Sequence, residues 1–205
     1  MVESKIQVGS SPFHTKGLVY KGAKDFYASR VPGGLEQVFA WIQAGDLLTF
    51  FQQEFISGAQ YDILPLIPIS EAAARATGIS HERLVSENAR WVAERDVNGI
   101  FKLFLRLTSA RMVASMLPKA SMQYFSFGTA RGRLIGENQL DAFQTGIPVL
   151  LAPWMVWVVR GFAPVPLALV GARNVAVSQP DQPETEARVE GYDVCKMVWR
   201  ITWSS

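Results

Sequence analysis

The sequence predicts an α+β fold in which N-terminal helices pack on a four-stranded antiparallel sheet made of two hairpins separated by a helix pair. Three observations predict it. The first half of the 205 residues carries apolar side chains at helical spacing, and the second half contains segments that alternate with period two. A proline-interrupted apolar stretch, residues 147–172, lies between the alternating segments. We predict a flexible leader over residues 1–14 and a single domain over residues 15–205.

The first half of the chain reads as a series of helices. Six segments favour this conformation: LEQVFAWI (35–42), DLLTFFQQEFI (46–56), EAAARAT (71–77), HERLVSENARWVAERD (81–96), IFKLFLRL (100–107) and SARMVASML (109–117). Ser70 and Ser80 stand where helix N-caps are expected. Gly78 and Pro118 stand where two helices are expected to end. The two prolines of YDILPLIPIS (61–70) indicate an extended connector between helices.

The second half predicts two hairpins. MQYFSF (122–127) and RLIGENQLDAF (133–143) flank a short GTARG segment and favour the first hairpin. NVAVS (174–178) and YDVCKMVWRITW (192–203) predict the strands of the second, joined by a surface loop over residues 179–191. The last strand has a clear apolar side, which indicates one buried and one solvated face. That side comprises Cys195, Met197, Trp199, Ile201 and Trp203.

The apolar stretch between the hairpins predicts two buried helices and no membrane span. Its prolines interrupt the window of about 20 apolar residues that a span needs, and Arg160 lies at its centre. Pro153 suits the first turn of a helix, in which Trp154, Trp157 and Val158 share one face. Pro164 then ends or kinks this helix before a second short one.

Composition and charge narrow the classes of protein. Hydrophobic residues make up 49% of the chain, which is ample for a core and excludes a largely disordered protein. The formal net charge is only +2, and no basic run is long enough to predict nucleic-acid binding. One cysteine excludes an internal disulfide framework, and the first residues lack the apolar core of a secretory signal. We therefore expect a cytoplasmic protein.

The residues that usually carry chemistry are few. His14 and His81 are the only histidines, and neither has a second histidine or a cysteine at metal-ligand spacing. Cys195 lies on the apolar side of its strand, which favours a buried and inert thiol. No glycine-rich phosphate loop is present. We predict no catalytic residue, no metal and no cofactor, and keep an enzyme using His81 or Cys195 as the least favoured alternative.

Four segments carry a resemblance to an uncharacterised, myxobacterial-type protein family of about this length. They are YDILPLIPISEAAARATG, ENARWVAERD, LPKASMQYFSFG and GFAPVPLALVGARNVAV, spread over residues 15–203. The resemblance implies no function, because none is assigned to that family.

The layout also resembles, more distantly, the superfamily of haem–nitric-oxide-binding sensors, vinyl-reductase-type ligand-binding domains and TRAPP vesicle-tethering subunits. This resemblance implies an apolar pocket between helices and sheet. The haem sensors carry Tyr-x-Ser-x-Arg beside the haem propionates, whereas this chain has Tyr124 and Ser126 followed by Gly128. It also lacks a histidine in the helical region before Tyr124 where the proximal ligand is expected. One cysteine cannot supply the zinc site of the second group, and Cys195 has no match to the lipid-binding cysteine of the third.

These observations favour a non-enzymatic ligand-sensing or signalling domain that binds a small apolar molecule between sheet and helices. Aromatic side chains would supply contact area, and two hydroxyls would orient the ligand. The predicted lining comprises Phe104, Tyr124, Ser126, Phe143, Trp154 and Trp157. The alternative is a homodimeric protein-interaction module without a ligand, and we also expect a homodimer if the domain is a sensor.

Overall fold

The computed structural model describes residues 6–97 and 108–204 and confirms the α+β class. Its helices are α1 (Gly17–Arg30), α2 (Gly34–Trp41), α3 (Asp46–Gln52), α4 (Leu66–Thr77), α5 (His81–Val97), α6 (Ala110–Ser121), α7 (Ala152–Phe162) and α8 (Pro164–Leu169). Its strands are β1 (His14–Lys16), β2 (Gln60–Asp62), β3 (Thr129–Ile135), β4 (Gln139–Pro148), β5 (Arg173–Ser178), β6 (Glu184–Val189) and β7 (Tyr192–Ser204). The helix predicted over residues 100–107 lies outside the described residues.

The main sheet has five antiparallel strands in the order β3-β4-β7-β5, with β6 also paired to β7. β7 is long enough to pair with β6 along its first half and with β5 along its second half. Its predicted apolar side is buried throughout, because this side faces the helices. The second, smaller sheet pairs β1 with β2.

The fifth strand, β6, lies within the predicted surface loop of residues 179–191, so that prediction is wrong for residues 184–189. Every residue of β6 is exposed, so the strand carries no apolar alternation that could reveal it. It joins β7 through Glu190 and Gly191, which have φ of 47° and 88°. Positive φ at both central residues is typical of a type I′ hairpin turn.

The first hairpin exists, but its turn lies at residues 136–138 rather than at residues 128–132. GTARG belongs mostly to β3, and the chain reverses between Ile135 and Gln139. Residues 122–127 form no strand beyond a single bridge between Thr15 and Phe125. Gly128 has a φ of +70°, and a Cβ on it would lie 2.1 Å from the carbonyl oxygen of Thr145. Glycine is therefore required where the two strands approach most closely, rather than in the turn.

The bounds of α3, α4 and α6 also differ from prediction, and α3 ends at Gln52 rather than at residue 56. α4 begins at Leu66, so Ser70 lies inside the helix, where its Oγ donates to the carbonyl oxygen of Leu66 at 2.6 Å. Pro68 is tolerated because a first-turn residue needs no N–H donor within the helix. α6 continues past Pro118 to Ser121. The predicted cap at Ser80 is confirmed, since its Oγ accepts from the backbone N–H of Arg83 at 3.2 Å.

The N-terminal segment is tied to β2 through a buried carboxylate. Asp62, which is 3% exposed, accepts hydrogen bonds from the N–H groups of Gly9, Ser11 and Leu64. The hydroxyl of Ser11 donates to the same carboxylate at 2.5 Å. Phe13 is 2% exposed in the core. Residues 9–13 are therefore held against the fold, whereas the sequence predicts a flexible leader over residues 1–14.

The apolar stretch after β4 forms the predicted pair of helices, α7 and α8. Among the described residues, Val149–Leu169 is the one segment long and apolar enough to cross a membrane by length and composition alone. In the fold it divides at Ala163 and packs against α5. The Ser86 hydroxyl of α5 donates to the carbonyl oxygen of Trp157 at 3.1 Å, so the two helix backbones lie close together.

We predict that Gly161→Ala destabilises the protein by about 1–3 kcal/mol, although alanine favours a helix interior more than glycine does. The added Cβ would lie 2.1 Å from the Ser86 carbonyl oxygen, so α7 and α5 would have to separate. Urea unfolding measures the change. Gly22→Ala in α1 is the matched helical control, because its Cβ would meet only side chains, the nearest being Val92 at 3.1 Å. An equal effect of both substitutions would contradict the close approach.

Candidate functional site

A cavity of about 150 Å³ lies between the helices and the main sheet. Helices α1, α5, α6 and α7 form one wall, and β3, β4 and β7 form the other. Within the described residues its lining contains no charged side chain. Most of the lining is apolar; the side chains with polar atoms are those of Asn88, Ser121, Tyr124, Gln144, Trp154 and Trp199. The cavity therefore suits an uncharged, mostly apolar molecule.

Strand alternation and helix periodicity explain which side chains reach the cavity. Ala142 on β4 lies directly opposite Trp199 on β7, and Gln144 lies two residues further on the same face of the sheet. On α7, Trp154, Val158 and Phe162 follow one another at intervals of four residues and form a stripe toward the sheet. The site is thus built on regular elements, which fix its side chains in place.

Some residues that line this cavity also carry buried polar atoms without a partner, although those atoms are themselves closed to a water-sized probe. Five buried side-chain polar atoms in the described part of the chain have no hydrogen-bond partner, and four belong to lining residues. Those four are Asn88 Oδ1, Gln144 Nε2, Trp154 Nε1 and Trp199 Nε1. Buried polar groups are nearly always paired in folded proteins, so a cluster of exceptions requires a specific explanation.

Tyr124 closes one side of the cavity through a polar chain. Its hydroxyl donates to Oδ2 of Asp96 at 3.2 Å, and Nε of Arg95 donates to Oδ1 of the same carboxylate at 3.2 Å. Burial and then the Asp96 carboxylate raise the pKa of Tyr124 to about 12. Tyr124 therefore remains a neutral phenol at physiological pH, with its proton directed to Asp96.

The structure brings together only some of the residues predicted to bind a ligand. Tyr124, Phe143 and Trp154 border the cavity, whereas Phe104 lies outside the described residues. The alternation along β4 points the Phe143 side chain away from Ala142 and Gln144, toward the opposite face of the sheet. Ser126 and Trp157 do not line the cavity.

Ser126 and Trp157 are occupied elsewhere. The Ser126 hydroxyl accepts from the N–H of His14 at 3.3 Å and donates to its carbonyl oxygen at 3.2 Å, so it fastens the chain to β1. Trp157 lies on the flank of α7 nearer to α5, where its ring meets that of His81 edge-on at 4.8 Å. Helical spacing predicts that Trp154 and Trp157 share one face of α7. In the structure Trp154 lines the cavity, whereas Trp157 lies on the flank that faces His81.

Sequence reasoning missed Asn88, Gln144 and Trp199 as candidate site residues. The strand pattern contains a signal for Gln144, because Leu140, Ala142 and Gln144 share one face and the first two are apolar. A polar residue at the end of an apolar strand face is a candidate for a buried polar group. Trp199 was assigned to the buried face, where a tryptophan without a partner for its N–H cannot be told from an ordinary core residue.

His81 and Ser70 form a pair that resembles part of a catalytic triad. Nε2 of His81 lies 2.6 Å from Oγ of Ser70, and its Nδ1 lies 4.0 Å from a carboxylate oxygen of Glu71. However, Ser70 is only 2% exposed and lies inside α4, so a substrate cannot reach its hydroxyl. Burial lowers the pKa of His81 to about 4, which makes it a weak general base. The pair lies outside the cavity lining.

Cys195 is equally unsuited to nucleophilic chemistry. It is fully buried between neighbouring strands, opposite Ile147 on β4 and Thr185 on β6. Burial, and secondarily the charge of Glu186, raise the pKa of its thiol. Because the thiolate is the reactive form, this thiol is expected to be inert. Among the described residues, no group of three or more His, Cys, Asp or Glu side chains could hold a metal ion.

Comparison with solved structures shows that the chain has the fold of H-NOX domains. An H-NOX protein from S. oneidensis superposes with a TM-score of 0.61 at 14% identity, covering 93% of this chain and 96% of that one. An oxygen-binding H-NOX domain related to soluble guanylate cyclases superposes with a TM-score of 0.59 at 10% identity, covering 92% of this chain and 93% of that one. A mutant H-NOX protein from T. tengcongensis superposes with a TM-score of 0.57 at 10% identity, covering 92% of this chain and 95% of that one. Such low identities establish a shared fold alone.

No protein-family model and no curated protein matches the sequence. The resemblance to the uncharacterised myxobacterial-type family therefore stays a prediction, as do the resemblances to vinyl-reductase-type domains and TRAPP subunits. The predicted likeness to haem–nitric-oxide-binding sensors is confirmed at the level of the fold.

Another matching structure comes from work on haem distortion in the H-NOX family. The cavity described for this chain does not fit haem. Neither histidine lines it, and its one phenol, Tyr124, is held protonated by burial and Asp96. Among the described residues, the lining has no arginine or lysine to pair with propionates. Gly128 occupies the place of the arginine in the sensors' Tyr-x-Ser-x-Arg pattern, and Thr145 leaves no room there for a side chain. The volume is also below the roughly 300–1,000 Å³ of typical pockets for drug-sized ligands.

We predict that the protein does not take up haem. Haemin added to the purified chain should keep the absorbance spectrum of free haemin and separate from the protein on gel filtration, because the lining offers no imidazole or thiolate. A sharp, shifted Soret band that elutes with the protein at one haem per chain would contradict this prediction.

We predict that His81 makes the protein less stable in acid. Its pKa is about 4 when folded and about 6.5 when unfolded, so the unfolded chain binds the extra proton between these values. The free energy of unfolding should therefore fall as the pH drops from 7 toward 4, by about 2 kcal/mol from this residue. Urea unfolding at both pH values should show a smaller loss for His81→Gln. Equal losses in the variant and the wild type would exclude this contribution.

Proposed function

We propose that this protein is a non-enzymatic ligand-sensing domain that binds a small, uncharged and mostly apolar molecule between its helices and its sheet. The observation that carries the proposal is the uncharged cavity of about 150 Å³ bounded by α5, α7, β4 and β7. An apolar protein cavity of similar volume is large enough to bind benzene. The proposed ligand is therefore about the size of a substituted benzene ring.

The sensing role is supported by the shared fold. The solved structures with this fold include an oxygen-binding domain related to soluble guanylate cyclases. Another was solved to explain the molecular mechanism of H-NOX activation. A ligand that contacts α5, α7 and the sheet at once could shift their packing, which is how a binding event becomes a signal. The proposal keeps this scaffold and replaces haem with a ligand held by the chain's own side chains.

A homodimer without a ligand is the alternative function. Met112 and Met116 are 56% and 59% exposed and lie one turn apart on α6, where pairing would bury them. Light scattering over a range of protein concentrations distinguishes the two states. A dimer that dissociates on Met112→Lys and does not respond to apolar molecules would favour the interaction module.

We predict that ethylbenzene binds and stabilises the protein. At ten times its Kd it should raise the free energy of unfolding by about 1.4 kcal/mol, because it binds only the folded state. Isothermal titration calorimetry and the shift in Tm measure the effect. Ala142→Leu should abolish binding, since the larger side chain fills the cavity opposite Trp199. Ala176→Leu on exposed β5 is the matched control and should bind normally.

Two outcomes would overturn this proposal. Ethylbenzene that fails to bind wild-type protein would show that the cavity is not a binding site for molecules of this class. Binding that survives Ala142→Leu unchanged would place the ligand elsewhere. Native mass spectrometry of freshly purified protein adds a second readout, because a retained small molecule would appear as mass beyond the 22.7 kDa chain.

A further inference from the structure

The main sheet has one face packed against the helices and one face turned away from them, which we call the outer face. Strand alternation assigns Lys196, Val198 and Arg200 of β7 to the outer face, because they alternate with the buried row of that strand. The register places Phe143 of β4 directly opposite Val198, and Arg131 of β3 directly opposite Phe143. These side chains therefore share the outer face.

The centre of the outer face is apolar. Phe143 and Val198 are both half-buried, yet neither belongs to the hydrophobic core formed by the described residues. We call these two side chains the apolar centre. An aromatic side chain in the middle of a solvated sheet face is typical of the centre of a protein–protein interface, where aromatic residues are enriched.

One edge of the outer face is basic. Arg131 and Arg133 are exposed on β3, and within the described parts of the chain neither has a carboxylate within ion-pair distance. Arg133 lies opposite Asp141, but Asp141 already accepts two hydrogen bonds from Arg200 at 2.9 and 3.0 Å. The positive charge of this basic edge, Arg131 and Arg133, is therefore only weakly compensated within the chain.

The opposite edge of the outer face is acidic. Glu184 lies on β6 opposite Lys196, and Asp181 is exposed in the loop before β6, close enough for its charge to act on Arg200. We call Asp181 and Glu184 the acidic edge. Glu186 also lies on β6, but its carboxylate already accepts a hydrogen bond from a backbone N–H of β4 at 3.2 Å.

A face with one basic edge and one acidic edge is complementary to itself. A half-turn about an axis that runs along the strands places a second copy face to face with the first and exchanges the two edges. The basic edge of each copy then lies over the acidic edge of the other, and the two apolar centres meet. This is the isologous arrangement of a two-fold dimer, and it is compatible with the aligned packing of two twisted sheets.

We propose that the outer face is a homodimer interface, in which two contacts between basic and acidic edges flank the paired apolar centres. The partner is a second copy of this chain, because opposite charges on the two edges suit an identical face better than a uniformly acidic or basic one. The face spans only four strands, so the dimer belongs to the small, weak class of interfaces. The proposal does not depend on a ligand in the cavity.

Paired charge reversals test the interface on the full-length protein. Arg131→Glu/Arg133→Glu makes both edges acidic, and Asp181→Lys/Glu184→Lys makes both edges basic. We expect either variant alone to dimerise at least about tenfold more weakly than the wild type, because like charges then face each other. An equimolar mixture of the two variants should restore dimers, since every acidic edge then meets a basic one.

Sedimentation velocity at protein concentrations from about 1 to about 500 µM measures the dimer Kd. Native mass spectrometry of the mixture separates the heterodimer from the two homodimers by mass. Phe143→Ser should raise the Kd about tenfold, because it removes the aromatic side chain from the apolar centre. Met112→Lys is the matched control: Met112 is an exposed apolar residue of α6, on the helical side of the sheet, and the Kd should not change.

Several results would overturn the proposal. One is wild-type protein that stays monomeric at every concentration. Another is a wild-type dimer that both charge-reversed variants form equally well, or whose variants form no heterodimer when mixed. A dimer that dissociates on Met112→Lys and persists in both charge-reversed variants would place the interface on α6 instead. The proposed function is tested separately by ethylbenzene binding, so either proposal can fail without the other.

Discussion

The pairing of β7 with its neighbours is the constraint on which the rest of the structure depends. β7 forms ladders with β4, β5 and β6, so three of the other four strands in the main sheet are placed by it. Its alternation puts one row of large side chains under the helices. A slip of one residue would move that row to solvent, and the burial of the row therefore fixes the register. The register in turn sets Trp199 opposite Ala142.

The same register makes the cavity wall energetically costly. A buried donor or acceptor without a partner costs about 1–3 kcal/mol, and four such atoms belong to one cavity. Folded domains are stable by only about 5–15 kcal/mol, so phenylalanine and leucine at these positions would be a large gain in stability. These four side chains therefore carry a cost that paired buried polar groups avoid.

The sequence predicted this fold well where one face of an element is buried and the other is not. β7 and α7 follow simple periodicity, and both were found with nearly correct bounds. β6 was missed because it is exposed on both faces, and the first hairpin was misplaced because Gly128 looks like a turn residue but serves a close approach of strands. The site was predicted only in part, because its lining comes from seven elements whose relative placement depends on tertiary packing.

The same close approach also explains why this chain departs from the haem sensors with which it shares a fold. The position after Tyr124 and Ser126 that carries arginine in those sensors is Gly128, and its backbone lies against the carbonyl oxygen of Thr145 with a positive φ. An arginine side chain there would require β3 and β4 to separate, so its loss is a property of the hairpin as well as of the ligand. The polar groups of this cavity instead come from strand and helix interiors, where they are held more rigidly than on a loop. Because the described lining carries no charge, the cavity suits a neutral molecule better than an anionic cofactor held by ion pairs.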